Sequence, residues 1–88
     1  MKIIIGIDVG GSTTKICGFR GTELLEPLFV KAADPVASVY GGFGKFTSQN
    51  GIALTDIERV MITGVGSAYI SSEIYGLKTE HVSEFVST

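Results

Sequence analysis

Gly6-Ile7-Asp8-Val9-Gly10-Gly11-Ser12-Thr13-Thr14-Lys15 is the stretch on which the reading of this chain turns. An apolar, β-branched run over Lys2–Val9 reads as a buried strand. It stops at two adjacent glycines and gives way to a second strand over Thr13–Arg20, with Thr13, Lys15 and Cys17 on one face. Two strands joined by so tight a glycine turn lie antiparallel. Glycines there let backbone N–H groups point into a concavity with no Cβ in the way, and such nests hold anions. Ser12 and Thr13 add hydroxyl donors beside them. Strand alternation puts Gly6 and Asp8 on one face, leaving an empty side-chain position behind the carboxylate. A carboxylate next to a phosphate is repelled unless a cation lies between them, so Asp8 reads as a ligand of Mg²⁺ or of its bound water. Lys15 reaches back to the phosphates as a point charge. Ordinary alternatives stand beside each role. Gly10 and Gly11 also suit a plain hairpin, Asp8 a turn cap, Ser12 and Thr13 local turn bonds, and Lys15 a solvated strand cation.

Outward from this loop, Gly21 turns the chain again, and Thr22–Val30 reads as a third, edge-type strand that completes an antiparallel meander. Asp34-Pro35 is a helix start, an N-cap oxygen followed by a proline in the first turn. Val36, Val39, Tyr40, Phe43 and Phe46 then recur at helical spacing, and Asn50-Gly51 ends the helix. Gly41, Gly42 and Gly44 sit off that stripe without any local reason. Arg59–Thr63 is a further strand, Gly64-Val65-Gly66 a loop, and Ser67–Tyr75 a short helix stopped by Gly76. Lys78–Val82 is the next strand, and Ser83-Glu84 opens another helix. The order βββαβαβ predicts an α/β layer with a mixed sheet.

Composition narrows the function. The chain has 88 residues, 44% apolar and 18% charged, which excludes disorder driven by charge. A net charge of −2 with scattered cations offers no basic patch for nucleic acid. No uncharged stretch is long and apolar enough to span a membrane. The single cysteine, Cys17, excludes a disulfide framework and, with no secretory leader after Met1, fits a reducing cytoplasm. A chain this short buries a thin core, and Val82-Ser83-Glu84-Phe85-Val86 carries no stop signal. The expectation is therefore one domain over residues 1–88, truncated from a larger protein. Two better-known glycine loops fail. A Walker loop needs lysine where Ser12 stands, and the third glycine of a dinucleotide fingerprint starting at Gly64 is replaced by Tyr69.

The Gly6–Lys15 stretch resembles the first phosphate loop of the actin, sugar-kinase and heat-shock-chaperone ATPase superfamily. The element order also matches the start of one of its ribonuclease H-like lobes. Within it the chain most resembles type II pantothenate kinases, through Asp8-Val9-Gly10-Gly11 with Lys15, Thr63-Gly64-Val65-Gly66-Ser67-Ala68, and Glu84-Phe85. Ser12 stands where many of those kinases have threonine. The resemblance implies phosphoryl transfer from ATP, with Mg²⁺, to the hydroxyl of pantothenate, the first step of coenzyme A biosynthesis. Gly10, Gly11, Ser12, Thr13 and Lys15 would hold phosphates, Asp8 the metal, and Glu84 would act as general base. A helix-start glutamate is the plain alternative for Glu84. The complete protein is expected to be a homodimer; the second phosphate loop, the adenosine-binding segment and the second lobe are absent from these residues. A rival within the superfamily, the ATPase that activates 2-hydroxyacyl-CoA dehydratases, resembles the chain in the same loop. That protein donates electrons through an iron–sulfur cluster bridging a dimer. A non-catalytic actin-like lobe is the third reading.

Overall fold

The computed structural model describes residues 2–31, 34–70 and 73–82. β1 (Ile3–Val9) and β2 (Thr13–Arg20) form the expected antiparallel pair, in register from Ile3 opposite Arg20 to Val9 opposite Thr14. The third strand is not continuous. β3 (Glu23–Leu24) and β4 (Leu28–Lys31) both pair with β2, separated by a break. Two residues explain it. Leu25 turns inward to 5% exposure while its N–H donates to the Gly18 carbonyl, and Pro27 has no N–H for a ladder.

α1 (Pro35–Gln49) starts and ends as its sequence dictates. Asp34 Oδ1 accepts the Val36 N–H at 2.9 Å, and Asn50 caps the far end by donating to the Phe46 carbonyl. Its Nδ2 also donates to the Glu26 carbonyl, fastening the helix end to the β3–β4 break. β5 (Ile57–Thr63) runs parallel to β1, so β4, α1 and β5 form a crossover with the helix laid over the sheet. The core lies between them: Ile3, Ile5, Ile7 and Val9 of β1, Ile16 of β2, Val60 and Ile62 of β5, and Val39, Phe43 and Phe46 of α1 are all fully buried.

The segment after β5 departs from expectation. Instead of a helix over Ser67–Tyr75, the chain makes a short 3₁₀ turn (Ser67–Tyr69) and then β6 (Glu73–Ile74), hairpinned onto β7 (Leu77–His81). Gly76 is a turn glycine, not a helix stop. Tyr75 and Gly76 both have positive φ, 51° and 83°, as a two-residue hairpin turn demands. Packing overrides the local helix pattern. Ile74 is fully buried, and the Tyr75 ring stacks on Phe43 at 5.7 Å and meets Tyr40 edge-on at 5.4 Å. β7 runs parallel to β5, giving the strand order β3-β2-β1-β5-β7-β6 with β4 beside β3 on β2. A bidentate Arg59–Glu80 pair at 2.7–2.8 Å joins these two strands. The hydrogen bond and charge of Arg59 hold the Glu80 carboxyl below its ordinary range, but the pair is exposed and adds little. The mixed α/β sheet is as the sequence implies.

Of the helix glycines, Gly42 now has a reason. A Cβ there would lie 2.9 Å from Ile16 Cδ1 and 3.0 Å from Val30 Cγ2, so glycine lets the helix sit close on β2 and β4 without displacing those methyl groups. Gly41 faces open space. Gly41→Ala should therefore stabilise the protein by up to about 1 kcal/mol through helix propensity. Gly42→Ala should instead cost about 1–3 kcal/mol by overpacking, both read from urea or thermal denaturation.

Candidate functional site

The β1–β2 turn is closed by the Gly10 N–H donating to the Thr13 carbonyl at 2.9 Å. A Cβ on Gly10 would sit 2.7 Å from that same oxygen, so the turn geometry itself requires glycine. Gly11, Ser12 and Thr13 follow on an exposed rim, and no atom lies within 4 Å of where a Gly11 side chain would begin.

Asp8 lies directly opposite Lys15 on β2 and beside Thr63 on β5. Register partners share a face, so these three side chains form one row on the side of the sheet away from α1. The row stands at the carboxyl ends of β1 and β5, next to the turn. Asp8 is exposed, Lys15 half-buried, and Thr63 buried. Lys15 Nζ lies 5.8 Å from the centroid of the Phe29 ring, its register neighbour on β4. The apolar ring supports the lysine stem on the strand side farther from Asp8. Asp8, Gly10, Gly11, Ser12, Thr13 and Lys15 are thus brought together at one sheet edge. Glu84 lies outside the described residues.

Among the described residues no three His, Cys, Asp or Glu side chains cluster as a metal cage. A lone carboxylate suits Mg²⁺, which keeps several waters and is held by one or two carboxylates plus substrate phosphates. Cys17 is buried at 5% exposure, and its Sγ donates to the Gly6 carbonyl at 3.6 Å. A surface groove of about 300 Å³ between β4 and α1 has none of the site residues in its lining, which includes Leu28, Lys31, Gly41 and Lys45.

The second glycine loop joins the first, which the sequence did not announce. The Gly66 N–H donates to the Val9 carbonyl at 2.9 Å, and Gly64 adopts φ +103°. A Cβ on Gly64 would lie 2.3 Å from the Val9 oxygen and 2.7 Å from Asp8 Oδ1. In sequence, Gly64-Val65-Gly66 reads only as a loop after a strand. Only the parallel pairing of β1 with β5 reveals that it abuts the β1–β2 turn.

No known family profile matches this chain, and no curated protein matches it in sequence. Solved structures do. The activator of the 2-hydroxyisocaproyl-CoA dehydratase from Clostridium difficile, with bound ADPNP, superposes with a TM-score of 0.75 at 20% identity over 92% of this chain. Component A of the Acidaminococcus fermentans (R)-2-hydroxyglutaryl-CoA dehydratase gives 0.76 at 18% identity over 94%. This is the fold of an actin-like ATPase lobe. The chain spans 29% and 31% of the length of those two proteins. No helix among the described residues is long and apolar enough to cross a membrane.

The close approach at Gly10 and the open space at Gly11 predict a contrast. Gly10→Ala should cost about 1–3 kcal/mol in denaturation, because the Thr13 carbonyl must move and its hydrogen bond is lost. Gly11→Ala should stay within roughly 0.5 kcal/mol of the parent, as a surface change without such a contact.

Proposed function

We propose that this chain is the part of an ATPase that holds nucleotide phosphates, in a protein that activates a 2-hydroxyacyl-CoA dehydratase. The observation that carries this reading is the superposition over more than nine-tenths of the chain on two proteins of that kind, one of them with ADPNP bound. Residues 1–88 would supply one side of a nucleotide cleft, with the adenosine contacts and the second lobe contributed by the rest of the complete protein.

The chemistry at the sheet edge suits this role. The N–H groups of Gly11 and Ser12 and the hydroxyls of Ser12 and Thr13 would donate to phosphate oxygens. Lys15 would balance phosphate charge, and Asp8 would hold Mg²⁺ directly or through its water, screening the carboxylate from the phosphates. Phosphate chemistry of this class depends on positioning and charge neutralisation more than on covalent participation by the protein. The iron–sulfur cluster that the activator resemblance implies does not fit Cys17, whose thiol is buried in the sheet. Such a cluster would need cysteines other than this one, and no step is assigned to it. Phosphorylation of pantothenate, with Glu84 as base, rests on the resemblance of the motifs alone and finds no support among the solved structures.

The complete protein, purified without oxygen, distinguishes the two. The activator reading expects a visible iron–sulfur chromophore and ATP consumption that is indifferent to pantothenate. Colourless protein with pantothenate-dependent ATP consumption would overturn it and restore the kinase. Either way the loop makes its own prediction. Lys15→Ala should weaken nucleotide binding about tenfold, the loss of one charge-assisted contact. Asp8→Asn should tighten metal-free binding, because the repulsion between carboxylate and phosphate is gone, while raising the Mg²⁺ needed for half-saturation.

A further inference from the structure

The geometry points to the Gly64-Val65-Gly66 loop as the positioning element for the Asp8 carboxylate, and so for the cation that Asp8 would hold. This rests on the reading of Asp8 as a Mg²⁺ ligand given above. An ordinary loop after a strand needs at most one residue of positive φ. This one has, in addition, two close approaches, one to a carbonyl and a carboxylate oxygen and one to a side chain. At Gly64 a Cβ would penetrate both the Val9 carbonyl, at 2.3 Å, and Asp8 Oδ1, at 2.7 Å. At Gly66 a Cβ would meet Val9 Cγ1 at 2.6 Å and approach the Pro35 ring at the start of α1.

The loop is itself pinned. The Ser67 N–H and hydroxyl both donate to the Gly64 carbonyl, at 3.1 and 2.7 Å. The Gly66 N–H takes the Val9 carbonyl one residue beyond the last β1–β5 register pair, Asp8 with Thr63. Gly64 therefore lies on the β5 side of Asp8, close enough that any side chain there would displace Oδ1. On the other side of Asp8, across the β1–β2 ladder, stands Lys15. Fixing one rotamer of a ligand before the metal arrives removes an ordering cost from binding.

The test is nucleotide binding by the full-length protein, measured by calorimetry with a non-hydrolysable ATP analogue across a Mg²⁺ series. Gly64→Ala should raise the half-saturating Mg²⁺ concentration about 10–100-fold, the usual effect of losing a group that orients a metal ligand. Binding without Mg²⁺ should change little. Gly51→Ala is the control. It also has a positive φ, +63°, at the end of α1 with nothing near its side-chain position, and it should leave the Mg²⁺ dependence unchanged. Should Gly64→Ala fail to fold, Gly66→Ala offers a milder displacement, because its clash is with the movable Val9 side chain. It should shift the Mg²⁺ dependence in the same direction, and Val9→Ala added to it should reverse the shift. An unchanged Mg²⁺ dependence in both loop variants, or an equal shift in Gly51→Ala, would overturn the proposal. If Asp8→Asn itself leaves the Mg²⁺ dependence untouched, the assignment of Asp8 to the metal fails first, and the loop's role falls with it.

Discussion

β1 is paired on both edges, antiparallel to β2 and parallel to β5, and its Ile3, Ile5, Ile7 and Val9 side chains are fully buried beneath α1. Four such side chains stabilise the fold by roughly 6–12 kcal/mol in transfer terms, an upper estimate but the largest single block in so small a core. A one-residue slip would turn all four outward, so the register of this strand is strongly fixed. Once it is fixed, the alternate positions Ile4, Gly6 and Asp8 must face the other side. Asp8 is thus brought beside Lys15 and Thr63 by the burial of its neighbours, without any attraction between the polar groups being needed to place it.

The same constraint accounts for the closeness of the two glycine loops. Parallel pairing makes β1 and β5 end at the same edge, and whatever follows each strand must emerge there. The chain meets this crowding with glycine at Gly10, Gly64 and Gly66, each of which has an atom closer than 3.0 Å to a hypothetical Cβ. At Gly10 and Gly64 the nearest atom is a backbone carbonyl oxygen, and at Gly66 it is the buried Val9 side chain.

Much of this was legible in the residues. The isoleucine run, the Gly10-Gly11 break and the Asp34-Pro35 start each carry a local signal, and they give β1, β2 and α1 with their boundaries nearly intact. What failed was decided by distant partners. Ser67–Tyr75 has helix-like composition, but Ile74 and Tyr75 gain more by packing on α1 than a two-turn helix gains from its own hydrogen bonds. Thr22–Val30 reads as one strand until Leu25 is seen to fill the core and Pro27 to interrupt the ladder. The contact between Gly64 and Asp8 spans more than fifty positions and leaves no trace in either motif taken alone.

Three groups of glycine can be told apart by what a side chain there would meet, and the separation bears on what the loop is for. Gly42 is required by the protein's own interior, where α1 lies on Ile16 and Val30. Gly10, Gly64 and Gly66 are required by the contacts among β1, its turn and the loop after β5. Gly11 is required by neither: it is exposed, its φ is not positive, and its side-chain position is empty. A residue of ordinary backbone conformation pays the full entropic penalty of glycine with no return inside the chain. The open space above Gly11 lies on the same rim as Ser12 and Thr13 and next to the Asp8–Lys15 row, so a group held there would approach the backbone with no Cβ between. Under the proposed nucleotide reading, that is the space a phosphate needs in order to reach N–H donors, and it sits beside the glycines whose positions the fold itself requires.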